Sequence, residues 1–281
     1  MKKLAHIFLL VGIVFTACEQ HEMSGAELSE LSLLSVGLDG NTDLLIHNLK
    51  TALVVEPTEL TDAEIEGLKW MREEEKLAGD LYALFNAEYA IRIFANISRS
   101  ENTHTNAVLY LLEQFEIEDP AVDASGVFAN ETLQGIYSDL KAAGEVSLSE
   151  ALKVGAYVEE LDILDLEQRL EDTSNEDIEL VYENLLRGSR NHLRAFTRVL
   201  AQNGFDYEPT LLSDEYYTET LAAEMERGHG PGSCALGYGY ANRKNGNGGL
   251  SGGSSSSVCD SIPALDGTGQ QNRYGNGKRG N

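Results

Sequence analysis

The sequence predicts an all-α fold: an antiparallel bundle of four long helices, with a long crossover holding a short helix between the second and third. Three observations carry this prediction. Four stretches repeat apolar residues at helical spacing. Three of them open on a residue that caps helix N-termini. Each also carries titratable groups on its apolar stripe. With 281 residues, 42% of them hydrophobic, the chain allows one sizeable domain plus extra segments. The formal net charge of -25 argues against nucleic acid as a partner, because such binding relies on Lys and Arg at phosphates. The same acidity suits solubility, or a surface that concentrates cations.

Residues 1–17 have the form of a lipoprotein signal peptide. Lys2 and Lys3 make a charged end, and the apolar run Leu4–Phe15 is too short for a comfortable membrane span. Phe15-Thr16-Ala17-Cys18 resembles a bacterial lipoprotein cleavage box. Cys18 is therefore the expected lipidation site, and the bacterial cell envelope the expected location, with the membrane as a partner through that anchor. Residues 18–59 read as a tether in which Leu28, Leu31, Leu33 and Leu34 suit a short docking helix. His21 and His47 are isolated and expected in solvent.

Thr61 opens the first long helix, with Glu64 three residues on completing a capping box. Trp70, Met71, Leu77, Ala78, Leu81, Tyr82 and Phe85 form its apolar face, interrupted by Glu73-Glu74-Glu75. By helical angle Glu74 lies nearest the centre of that face and Glu75 at its edge. At least one of the three is expected in solvent. The second helix, read over Ile97–Phe115 and ending near Pro120, has Phe94, Ile97, Val108, Leu111 and Phe115 on one stripe. Glu101 and His104 share that stripe, since positions three apart face the same way. A carboxylate aimed at a core needs a partner or a metal. Glu-x-x-His on inward faces is how carboxylate-bridged dimetal bundles supply ligands. Asn130 caps the short crossover helix, Glu131–Ala143.

Ser147 caps the third long helix, whose stripe runs through Leu148, Leu152, Gly155, Ile163, Leu166 and Leu170. Glu159 sits in its middle, Asp162 near its edge, and Glu160 points away. Ser174 or Asn175 caps the fourth. There His192 lies on the stripe of Ile178, Val181, Leu185, Ala195, Phe196 and Val199, with Ser189 three residues before it. Gly204 ends this helix. Arg187, Arg190, Arg194 and Arg198 occupy other faces and suit pairing with acids. Residues 207–227 read as a docking helix using Tyr216, Tyr217, Leu221 and Met225. The Gly/Ser/Asn-rich residues 228–281 read as disordered, with Cys234 and Cys259 as a candidate loose disulfide.

The stretches MREEEKLAGDLY, FANISRSENTHTNAVLYLLE, SLSEALKVGAYVEELDILDLE and LLRGSRNHLRAF resemble an uncharacterised bacterial family within the ferritin-like, rubrerythrin-related superfamily. The resemblance spans about half the chain. It implies a ferritin-like bundle over residues 60–206 and a metal site of Glu75, Glu101, His104, Glu159 and His192, with Glu74 and Asp162 as alternates. Rubrerythrins place Ala three and Tyr seven residues after the first-helix Glu, which Glu75, Ala78 and Tyr82 match. Glu101 and Glu159 would bridge, Glu75 would be terminal, His104 and His192 would each give nitrogen to one metal, and Tyr82 would be an electron donor or core. Iron is the first candidate cofactor, in a di-iron or single-metal site, with manganese or zinc behind it. One departure stands out: the fourth helix offers Ser189 where the pattern has Glu. The implied function is metal-centred redox with oxygen or peroxide. The alternatives are a non-catalytic metal-sequestering or sensing lipoprotein, and a structural bundle whose acids pair with arginines, Glu159 with Arg190 for instance. Oligomerisation is left open.

Overall fold

The computed structural model describes residues 31–37, 39–53 and 59–227. The expected leader, the Cys18 anchor, Leu28, and the tail with Cys234 and Cys259 lie outside them. Strand β1 (Leu34–Val36) pairs antiparallel with β2 (Thr42–Leu44), Leu34 opposite Leu44 and Val36 opposite Thr42. Helices follow in the order α1 (Ile46–Ala52), α2 (Asp62–Tyr89), α3 (Arg92–Gln114), α4 (Glu131–Gly144), α5 (Leu148–Asp172), α6 (Glu176–Gln202) and α7 (Asp214–Ala222). The described chain is thus mostly helical, with one two-stranded sheet.

The stretch Leu31–Leu34 is not the docking helix expected of it. Leu33 and Leu34 are buried and Ser35 is exposed in an extended chain that enters β1. The reason lies outside the segment: α3 offers side chains that take up the backbone groups of β2, so the strand is satisfied on a helix rather than within a helix. His47, on α1, is exposed as expected.

Local chemistry sets the helix ends. Thr61 accepts from the Glu64 amide while the Glu64 carboxylate accepts from the Thr61 amide, closing the capping box. Asn130, Ser147 and Asn175 cap α4, α5 and α6 through their side-chain oxygens. Helix α3 starts five residues before Ile97 and stops at Gln114, short of Pro120. Glu116 there adopts the left-handed region (φ 56°), and the Ile117 amide reaches back to the Leu112 carbonyl at 2.8 Å. This six-to-one bond closes the helix before proline is needed.

Helices α2 and α3 are joined by two residues, and α5 and α6 by three. Connections this short make antiparallel neighbours. The two hairpins also meet each other, α2 against α5 and α3 against α6. Each long helix therefore touches two others around a shared core. Tyr82, Phe85, Phe94 and Phe196 fill part of it, with ring centroids 5.1–6.4 Å apart.

Two polar anchors fasten the chain after α6. Glu160 does not point into solvent. It is fully buried and accepts the backbone N–H groups of Thr210, Leu211 and Leu212, together with the Tyr207 hydroxyl at 2.5 Å. Glu226 receives Arg190 and Arg194, the latter at 2.8 Å. Asn191 pairs with both backbone groups of Glu226, at 2.8 and 2.9 Å. These ties hold the chain extended after Ala222, so α7 is shorter than the docking helix expected within residues 207–227. Leu221, expected to dock, is exposed.

Candidate metal centre

Each long helix delivers polar side chains to one buried point between them. Helix α2 brings Glu75 and Tyr82, α3 brings Glu101 and His104, α5 brings Glu159 and Asp162, and α6 brings Ser189 and His192. None is more than 6% exposed. Glu101 stands at the centre. Its Oε2 lies 2.8 Å from His104 Nδ1 and its Oε1 lies 2.8 Å from His192 Nδ1. Glu75 Oε2 lies 3.3 Å from His104 Nδ1, and Glu159 Oε2 lies 3.5 Å from His192 Nδ1. The two imidazoles stack with centroids 5.4 Å apart. The backbone permits this at Gly188, where a Cβ would come within 2.6 Å of His104 Cε1.

These contacts are close but not aligned as hydrogen bonds. Both Nδ1 atoms, both Glu75 oxygens and Glu101 Oε1 have no hydrogen-bond partner. Buried polar atoms are normally satisfied, so a convergent set of unsatisfied ligand atoms is an arrangement that could accept a cation. Among the described residues, no lysine or arginine forms an ion pair with Glu75, Glu101, Glu159 or Asp162. Glu101, His104 and His192 form a buried group that could hold a metal ion, with ligand atoms all within 4.8 Å of one another.

The electrostatics without metal follow from crowding. Burial alone would raise the Glu101 carboxyl, but His192 and His104 outweigh it and hold Glu101 well below the usual carboxylate range. Burial pushes Glu75 up to about 8 against the pull of His104. Burial disfavours charge on the imidazoles, yet the acids prevail. Glu101 and Glu75 push His104 well above its ordinary value, and Glu101 and Glu159 push His192 up to about 9. Asp162 is raised by burial and then by Glu75 and Glu74.

The supporting contacts are specific. Tyr82 donates to Glu159 Oε1 at 2.6 Å. Ser189 donates to Asp162 Oδ2 and to the Leu185 carbonyl. His104 Nε2 lies 3.0 Å from the Thr42 carbonyl oxygen, which only accepts, so Nε2 carries a proton there.

All three acids of Glu73-Glu74-Glu75 are buried, against the expectation that at least one is solvated. Each has its own partner. Glu73 accepts the amides of Ala129 at 2.6 Å and Asn130 at 3.1 Å, fixing the start of the crossover helix. Glu74 accepts from the Trp70 indole at 3.0 Å, which it shares with Asp165. Only Glu75 reaches an imidazole. The suggested Glu159–Arg190 pair is absent: Arg190 is engaged by Glu226, and Glu159 by Tyr82 and His192. The Thr42 carbonyl was not foreseen, since a backbone oxygen leaves no mark in sequence. The small polar pair Ser100 and Thr103, interleaved with Glu101 and His104, is the one hint of a polar contact there.

Residues 64–224 match the family described as "Uncharacterized protein domain (DUF2202)". Over 170 residues the chain is 49% identical to the uncharacterized protein MJ0754 of Methanocaldococcus jannaschii, covering 60% of this chain and 92% of that protein. The crystal structure of the hypothetical protein MJ0754 from Methanococcus jannaschii is similar with a TM-score of 0.60 at 47% identity, covering 61% of this chain and 98% of that one. By the extent of the match and the identity of that relative, this chain belongs to the DUF2202 family.

Proposed function

We propose that the chain is a ferritin-like four-helix bundle whose buried centre binds divalent metal, iron first, and uses it in redox chemistry with oxygen or peroxide. The observation that carries this reading is Glu101, whose two oxygens each lie 2.8 Å from a buried imidazole Nδ1 without hydrogen-bond alignment. Oxygen and nitrogen ligands of this kind suit iron, manganese and zinc. His104 with Glu75 would serve one metal and His192 with Glu159 the other, with Glu101 between them. Asp162, held by Ser189, stands in for the carboxylate missing from α6. Bound iron would supply one-electron steps. The protein's part is to hold the ligands, exclude bulk water and keep Tyr82 on Glu159. Because every ligand is buried, the co-substrate is a small molecule. A lipid anchor at Cys18 would carry the domain at a bacterial membrane surface. Among the described residues no helix is long and apolar enough to cross a membrane.

The same burial also supports a second reading, metal storage or sensing without turnover. The test is metal analysis of protein purified without a His tag, repeated for Glu101→Ala with His104→Ala. About two bound metals with oxygen-dependent oxidation of added ferrous iron is expected, and loss of metal in the double variant. Metal bound without oxidation selects storage. Metal content unchanged by the double variant refutes the site.

A further inference from the structure

We propose that the β1–β2 hairpin is a positioning strap of the metal centre, its Thr42 carbonyl fixing the His104 tautomer so that Nδ1 faces the metal. This rests on the metal-binding reading above. Three bonds join β2 to Ser100 and Thr103 of α3. The Thr42 amide donates to Ser100 Oγ at 2.8 Å, the Leu44 amide donates to Thr103 Oγ1 at 2.7 Å, and Ser100 Oγ donates to Asp43 Oδ1 at 2.8 Å. Ser100 and Thr103 lie beside Glu101 and His104 in the chain. The residues that clasp the hairpin and the residues that face the centre therefore occupy the same turns of α3.

The hairpin reaches the centre because its turn lies flat on the bundle. Gly40 takes φ 97°, and a Cβ there would come within 2.6 Å of Ile93 Cδ1. The result is the Thr42 carbonyl 3.0 Å from His104 Nε2. With Nε2 committed to the Thr42 carbonyl, Nδ1 is the nitrogen that faces Glu101 Oε2 and Glu75 Oε2. Carbonyl contacts of this sort fix the orientation and tautomer of metal-binding histidines. His192 has no such partner: neither of its ring nitrogens has an aligned hydrogen bond. The two halves of the centre are thus unequal, and the half with His104 takes metal first. The strap lies outside residues 64–224, the stretch that carries the family match.

Zinc is a suitable probe because it is redox-inert. The full chain, labelled with 15N and loaded with one equivalent of Zn2+, is examined by long-range 1H–15N correlation, with His104 assigned by its loss in His104→Gln. The expected spectrum shows His104 protonated at Nε2 and zinc-shifted at Nδ1. The variant Ser100→Ala with Thr103→Val removes all three of these bonds and no ligand. It is expected to lose Zn2+ to a chelator about 10- to 100-fold faster, the usual effect of removing such a contact, with unchanged helical circular dichroism. A His104 protonated at Nδ1 overturns the inference using wild-type protein alone. So does a variant that folds and releases Zn2+ at the wild-type rate. If wild-type protein takes up no Zn2+, the metal reading itself falls, and the strap with it.

Discussion

Metal uptake by this centre is predicted to expel protons, in a number set by the groups around Glu101. At pH 7 an imidazole with its value near 9, as for His192, is about 99% protonated, and a carboxyl near 8, as for Glu75, about 90%. His104 is raised well above its ordinary value by Glu101 and Glu75 and is protonated too. Metal ligands must be deprotonated, so filling both halves of the centre at pH 7 releases about two to three protons. Linkage then requires the logarithm of the affinity to rise by the same two to three per pH unit near neutrality. The slope declines as pH passes about 8 and then about 9. Zinc titrations by calorimetry, in buffers of different ionisation enthalpy, count the protons directly. Competition with a chelator between pH 6 and 9 gives the slope. An affinity independent of pH, with no proton released, would refute the arrangement of groups argued here.

Without metal the same shifts make the fold sensitive to alkali. The His192 value of about 9 exceeds its ordinary 6.5, so its stabilisation is whole below about 6.5 and is lost as pH rises through about 9. Glu75 is raised too, so its ionisation above the unfolded value of 4.5 weighs against the fold until about pH 8. Glu101, shifted downwards, loses its contribution only as pH falls below 4.5. Chelator-treated protein should therefore melt at lower temperature at pH 9 than at pH 6, and a flat profile would count against these pairings. Gly188→Ala gains helix propensity but drives a methyl against the His104 ring. A net loss of about 1–3 kcal/mol, with weaker metal retention, is expected by thermal melting and chelator competition. Glu226→Ala strands Arg190 and Arg194 of α6. A loss of about 2 kcal/mol is expected by urea denaturation, at the low side for a buried pair because Glu226 keeps 20% exposure.

The long helices were legible because capping residues and apolar periodicity act within a few residues of each other. Thr61 with Glu64, Ser147 with Glu150, and Asn175 all cap as their spacing implies. Glu101 and His104 were legible for the same reason: one helix face fixes both. Choosing Glu75 over Glu74 was harder, because the angle to a helix's total apolar face does not say where the shared axis lies. The structure separates them by partner, an imidazole for Glu75 and an indole for Glu74. The burial of Glu160, and of Glu73 within the acidic run, is not legible because their partners are backbone amides supplied by segments far along the chain. The hairpin was missed for a related reason. Two three-residue strands carry almost no periodic signal, and their stability comes from Ser100 and Thr103, 58 and 59 residues away.

Most of the buried and half-buried acids of this bundle sort into two groups by what they touch, and the sorting is an argument about function. Glu64, Glu73, Glu160 and Glu226 are each paid back in full by amides, hydroxyls or arginines, and each ties one segment to another. Such contacts explain why a chain this acidic can bury carboxylates at all. Glu75, Glu101, Glu159 and Asp162 are different. They face imidazoles, one tyrosine and one serine, and several of their oxygens have no aligned donor. Arg187, Arg190 and Arg194 of α6 pair with Glu183 and Glu226 rather than with these four acids. Without metal, the protonated imidazoles of His104 and His192 offset these acids, and a cation bound in place of their protons would do the same. The Asp162–Ser189 contact fits this division. Where α6 offers Ser189 on its inward face, α5 brings Asp162 against it, and the serine hydroxyl contacts that carboxyl.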